Sequence, residues 1–188
     1  MDYQTSFIRP SEELGIGALS DFYNKACEAG VAAALATGII TQRKEAKVRE
    51  ADIVADFGCG VGGWLTMPLN VAGTNYSVFA TVVPAALTPT VLVTQVVVFY
   101  KVCVETPAFN IDQLSFRQGV GAGTTKAVFW LEALTTKLMP EGFLSEPVIY
   151  LKQQIMNVVV RCRIVTTARE RVSLGCLIVE PAGQTISA

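Results

Sequence analysis

Few residues of this 188-residue chain could do chemistry, and histidine is not among them, because the chain has none. That removes Ser-His and Cys-His catalysis, imidazole general bases and imidazole metal ligands together. The five cysteines (Cys27, Cys59, Cys103, Cys162 and Cys176) are odd in number, and their spacing fits no zinc pattern. They read as reduced thiols of a protein made in a cytosol; Cys162 and Cys176 fall at apolar strand positions, where a thiol acts as a small hydrophobe. Arg161, Arg163, Arg169 and Arg171 cluster about one polar connection and would bind an anion there if they converged. Outward charges that discourage strand-edge pairing are the commoner use of such residues. Glu105, Asp112 and Glu132 would form a carboxylate pair only if folding brought them together, and nothing in their spacing does so. Trp64 and Trp130 read as core or interface anchors. The expected set of catalytic, cofactor-binding and metal-binding residues is therefore empty.

The elements that would position these residues centre on 57–100, which holds no Asp, Glu, Lys or Arg. It is not a membrane helix, because Pro68, Pro84 and Pro89 break it. Its second half is dense in β-branched residues, which favour strands. Residues 91–105 form the longest expected strand. One face carries Leu92, Val96, Val98, Tyr100, Val102 and Val104; the other carries Val91, Val93, Val97, Phe99 and Cys103. Apolar residues on both faces imply cover on both. Further strands are expected at 53–57, 64–69, 76–83, 114–118 and 126–134. Residues 148–151 begin another, running into 155–167, and residues 168–171 turn it as a hairpin onto a last strand with Val172, Leu174, Cys176 and Ile178 inward.

The N-terminal third differs. Ser11 starts a helix on which Leu19, Phe22, Tyr23, Ala26 and Cys27 recur at helical spacing. The small-residue run 31–36 would let another backbone approach, from its own domain or from a neighbouring subunit. Residues 43–50 are mixed in sign and read as a solvated connector. The first residues lack the basic and apolar regions of a signal peptide. The expected division is an arm with a helix over 1–50 and a sandwich over 51–188. Residues 1–56 carry nine acids and six bases, leaving seven acids and nine bases for the body.

Charged residues make up 16% of the chain, against about 25% in ordinary soluble domains. Mean hydropathy is +0.43. A domain this small is mostly surface, so the composition implies a second buried area shared with partner subunits. A net charge of −1 gives no electrostatic case for binding nucleic acid strongly.

Two resemblances follow. The run Asp56-Phe-Gly-Cys-Gly-Val-Gly-Gly-Trp, after an apolar strand, resembles the first motif of class I S-adenosylmethionine-dependent methyltransferases, and residues 138–144 look like that family's late proline-glycine turn. The resemblance implies a cofactor pocket lined by Asp56, Gly58, Gly60 and Gly62 in the loop that ends at Gly63. The chain departs from the family where a helix should follow, since Pro68 and Gly73 interrupt it, and no acid occurs between Asp56 and Glu105 to hold a ribose. The preferred reading is a glycine-rich loop between strands. The whole layout, a helical arm followed by about eight short strands, is similar to jelly-roll viral coat proteins over residues 50–182. That resemblance implies a mainly β, eight-strand antiparallel sandwich. It also implies a capsid shell, decoration or spike subunit, found in the virion after synthesis in host cytoplasm. Its partners would be copies of itself and other coat proteins, with no enzymatic activity and no cofactor.

Overall fold

A computed structural model describes residues 5–51, 56–57, 65–66, 75–77, 79, 89–105, 110–120, 123–134, 137, 140–165 and 170–183. The described elements are β1 (Thr5–Pro10), α1 (Ile16–Ala36), β2 (Ala46–Glu50), β3 (Leu65–Thr66), β4 (Asn75–Ser77), β5 (Val96–Val104), β6 (Ile111–Gln118), β7 (Thr124–Trp130), β8 (Glu141–Tyr150), β9 (Met156–Cys162) and β10 (Arg171–Pro181). Eight of these strands have five residues or more, and the strands form two sheets facing each other, antiparallel except where β1 meets β7, with one N-terminal helix: the mainly β sandwich expected.

The strand order defines the wrap. One sheet runs β2-β10-β5-β8 and the other β4-β9-β6-β7. The pairs nest: β2 with β10, β4 with β9, β5 with β8 and β6 with β7, all antiparallel. A ribbon folded on itself in this nested order is a jelly roll. β1 is added at one side. Its residues Ile8–Pro10 extend the first sheet beside β8, and Thr5–Phe7 run parallel to β7 in the second, so one short strand fastens both layers.

Between the sheets lies an aromatic centre. Phe99 meets Phe116 at 5.2 Å and Tyr150 at 5.8 Å, and Phe116 meets Phe129 at 5.8 Å. Val158, Val160 and Cys162 from one sheet and Val172, Leu174 and Cys176 from the other complete it. β9 and β10 are therefore not hairpin partners as expected: they lie in opposite sheets, because their apolar faces meet across the core instead of side by side. The long strand expected to continue from 148 is likewise two strands, divided at Lys152 and Gln153; Gln153 has φ +63°.

The double-sided apolar strand is explained within the chain. α1 covers the outer face of the first sheet: Ala26 and Ala34 pack against Val96, Val98, Tyr100, Phe143, Leu177 and Val179. Leu19, Phe22, Tyr23 and Cys27 flank that contact, as their spacing requires. The cover assigned above to partner subunits is, over β5, this helix. Gly30, between Ala26 and Ala34 on the same stripe, gives the closest approach. Register also changes inside β5. Phe99 pairs with Cys176 and Lys101 with Gly175, which leaves Tyr100 as an extra residue. This bulge moves the inward set from Val97 and Phe99 to Val102 and Val104, while Tyr100 joins the helix side.

Other expectations are corrected. Residues 46–50 are not a solvated connector but strand β2, because Ala46 and Val48 pack toward the helix while Lys47 and Arg49 find a buried carboxylate. Residues 91–95 precede β5 as a loop. The strand expected at 53–57 lies mostly outside the described residues, and Asp56 and Phe57 are themselves helical. The strand expected over 126–134 is β7 at Thr124–Trp130, and its last expected residues form instead a 3-10 turn at Glu132–Leu134.

Candidate functional site

Asp56, the first residue of the glycine run, is held by Arg49, which donates from Nη1 to Oδ2 at 2.9 Å and from Nη2 to Oδ1 at 2.7 Å. This paired bond holds the Arg49 guanidinium above its ordinary range. Arg49 Nε also reaches Glu180 at 3.3 Å, Lys47 Nζ lies 3.3 Å from the same oxygen, and Gln95 Nε2 donates to the other at 3.0 Å. Glu180 is 1% exposed, so these partners replace its water. The network fastens the edge strand β2 to β10. Gly58, Gly60 and Gly62 lie outside the described residues. The doubly wound sheet that the methyltransferase resemblance implies is not the fold observed, which is an antiparallel sandwich.

The arginines do not gather into an anion site. Arg171 faces Glu105 at 3.1 Å on the surface, and Arg169 lies outside the described residues. Arg163 is exposed in the loop after β9. Arg161 is clamped by Asp112, with Nε to Oδ1 at 3.1 Å and Nη2 to Oδ2 at 2.6 Å. The guanidinium lies 5.2 Å from the centroid of the Trp130 ring. Asp112 bonding holds the Arg161 guanidinium up. Glu105, Asp112 and Glu132 are not a carboxylate pair: the first two each face an arginine, and Glu132 sits in the 3-10 turn. Trp130 is no core anchor; it is 40% exposed on β7. Trp64 lies outside the described residues.

Asp112 reaches Arg161 because β6 is irregular there. Ile111 pairs with Cys162 and Gln113 with Arg161, so Asp112 is the extra residue, and Ile111 takes the core position. Gln113 pairs with Trp130 on its other side. The bulge thus sets Asp112, Gln113, Arg161 and Trp130 together across β6, β7 and β9. Sequence spacing carries no sign of this.

Both loop ends carry exposed apolar side chains among the described residues. At one, Val91 N donates to Gln154 O at 3.0 Å, Gln153 N to Val91 O at 2.8 Å, Met156 N to Pro89 O at 2.8 Å and Gly119 N to Ile155 O at 3.1 Å. On this cross-bonded end Leu92, Val93 and Val120 are 53%, 59% and 65% exposed. At the other end Ile164 and Val165 are exposed by half or more.

A cleft of about 390 Å³ opens on β2, β5, β8 and β10, lined among others by Glu50, Tyr100, Lys101, Cys103, Glu141 and Gly175. Its polar groups are satisfied internally: Lys101 meets Glu141 at 2.9 Å and the Tyr100 hydroxyl donates to Glu50 at 3.3 Å. Burial pushes the Cys103 thiol up, which makes it a poor nucleophile. Cys27, Cys103, Cys162 and Cys176 are all free thiols, and no group of metal-ligating side chains occurs among the described residues. No helix among them is long and apolar enough to cross a membrane.

Fold and surfaces together define a jelly-roll β-sandwich with an intramolecular helical cover and some exposed apolar side chains at its loop ends. No family model matches the chain, and no curated protein matches it. Among solved structures, the crystal structure of the infectious bursal disease virus VP2 subviral particle is similar over 74% of this chain, at 12% identity and a TM-score of 0.36. The matched region is 34% of that protein, so this chain spans about a third of its length. The jelly-roll assignment rests on the nested strand order.

Proposed function

We propose that this chain is a structural virion protein, a shell, decoration or spike subunit, that assembles with copies of itself and with other coat proteins through its loop ends. The observation that carries this reading is the set of exposed apolar side chains at the two ends, above all Leu92, Val93 and Val120 on a tip cross-bonded by four backbone hydrogen bonds. Three large apolar side chains stand more than half exposed there beside Lys152 and Gln153, a surface that a partner can cover, and a rigid tip loses little entropy on being covered. Apolar residues at both ends of one body fit contacts that run from the end of one copy to the opposite end of the next. The role is structural and not enzymatic, with the virion as its location.

Light scattering and negative-stain microscopy test it. Native protein should be larger than the 20.2 kDa monomer, and Leu92→Asp with Val120→Asp should return it to a folded monomer. A wild-type monomer at micromolar concentration overturns the reading.

A further inference from the structure

We propose that the outer face of β6, β7 and β9 carries a binding site for a neutral pyranose sugar, built from Trp130, Arg161, Asp112 and Gln113. The inference goes beyond assembly and does not depend on it. Among the described side chains Trp130 is the exposed aromatic, with 40% of its surface in solvent on the outer face of β7. The Arg161 guanidinium takes part of the indole at 5.2 Å, and the exposed remainder offers a flat apolar surface to the C–H face of a sugar ring. Beside it, the Asp112 bulge sets a carboxylate and a guanidinium side by side, fixed to each other at 3.1 and 2.6 Å. The guanidinium, with 32% of its side chain in solvent, has five donors and uses two on Asp112, while the carboxylate, 11% exposed, presents only a narrow acceptor edge. Adjacent equatorial hydroxyls, each both donor and acceptor, match such a fixed donor–acceptor pair. Gln113, between Trp130 and Arg161 in register, adds an amide with both functions.

The charges set the class of ligand. Asp112 and Arg161 cancel, so the site attracts neither phosphate nor an ammonium group, and a neutral polyol suits it better than nucleic acid or a charged peptide. Order is already in place before binding. The bulge residue is anchored by Leu131 N donating to the Asp112 carbonyl at 3.0 Å, and Arg161 is held at once by its carboxylate and by the indole at 5.2 Å. A ligand would therefore lose little to ordering the site.

The test uses the full chain in its native assembly state. Neutral methyl pyranosides are titrated by ligand-observed NMR, and an array carrying both uncharged and sialylated oligosaccharides is probed in parallel. Saturable binding of at least one neutral sugar is expected. Trp130→Ala should weaken it about tenfold or more, as loss of a central aromatic anchor does. Arg161→Lys, which cannot make the paired bond to Asp112, should weaken it several-fold while the thermal midpoint stays near wild type. Should Trp130→Ala fail to fold, Trp130→Phe replaces it, with a smaller loss expected. Absence of any neutral ligand, a preference confined to sialylated arms, or full binding by both variants overturns the proposal. Particle size by light scattering is read separately, so failure here and failure of the assembly reading are distinguishable.

Discussion

A β-carbon at Gly30 would sit 2.7 Å from Cγ2 of Val179, closer than side-chain atoms pack, so helix α1 touches the sheet at its own backbone. The same atom would lie 2.9 Å from Cγ2 of Val98. Valine has no far end to swing away, so any added atom must lift the helix. Gly30→Ala should therefore destabilise the fold by about 1–3 kcal/mol, although alanine is the better helix former by about 1 kcal/mol. Urea denaturation measures this. A midpoint that rises would mean that the helix is not seated on the sheet as described.

The seam closed by β1 has a similar weak point. A β-carbon at Gly142 would collide with Cγ2 of Ile8, and Gly142 pairs with Pro10. Gly142→Ala should loosen β1 locally. Amide exchange is expected to quicken in β1 and along the facing edges of β7 and β8, while β5 and β10 stay protected. Uniform acceleration everywhere would instead show that β1 is part of one cooperative unit.

Glu180 depends on its cations. Arg49→Ala leaves a carboxylate that is 1% exposed with Lys47 and Gln95 alone, and should cost about 3 kcal/mol. Adding Glu180→Gln to that background should recover part of the loss, because a neutral amide needs no cation. The double-mutant cycle should give a coupling of roughly 1 kcal/mol or more. Strictly additive losses would show that Arg49 acts on β2 through Asp56 and not through Glu180.

A pH dependence is expected at the turn between α1 and β2. Glu45 Oε2 accepts from Thr41 N at 2.8 Å, Thr41 Oγ1 at 2.9 Å and Gln42 N at 3.1 Å. The Thr41 backbone bond first, then its hydroxyl and the Gln42 amide, hold the Glu45 carboxyl below its ordinary 4.5. A carboxyl with a lowered folded value binds fewer protons native than unfolded in that window. Its contribution is present above pH 4.5 and lost as the pH falls through the folded value. Glu45→Gln should thus be less stable than wild type at pH 7, with the gap narrowing at pH 3. Thermal melts at the two values check this; a constant gap would exclude the linkage.

Much of this architecture was legible. The β-sandwich class, the inward set Val172, Leu174, Cys176 and Ile178 on β10, and the stripe from Leu19 to Cys27 followed from periodicity alone. What covers β5 was misjudged. Its two apolar faces demanded two covers, and the second was given to sister chains, although Ala26, Gly30 and Ala34 at four-residue spacing already describe a helix shaped to lie on valines. Strand β2 was hidden because its charges looked solvated; only the partner, Glu180, makes Lys47 and Arg49 structural. The grouping of Asp112 with Arg161 was out of reach. Those residues are 49 apart in sequence and meet through a bulge, and neither the pairing nor the bulge leaves a mark on periodicity.

The seam strand also sets an order of events in the cell. Thr5–Phe7 wait for Val128–Trp130, and Ile8–Pro10 for Gly142–Leu144, so β1 emerges from the ribosome roughly 120 residues before either lane it must occupy exists. Through that interval a nascent chain carries β1 as an orphan strand. Any other copy translated nearby offers the same two lanes, which makes polysome crowding the moment when this segment is most exposed to being threaded into the wrong molecule.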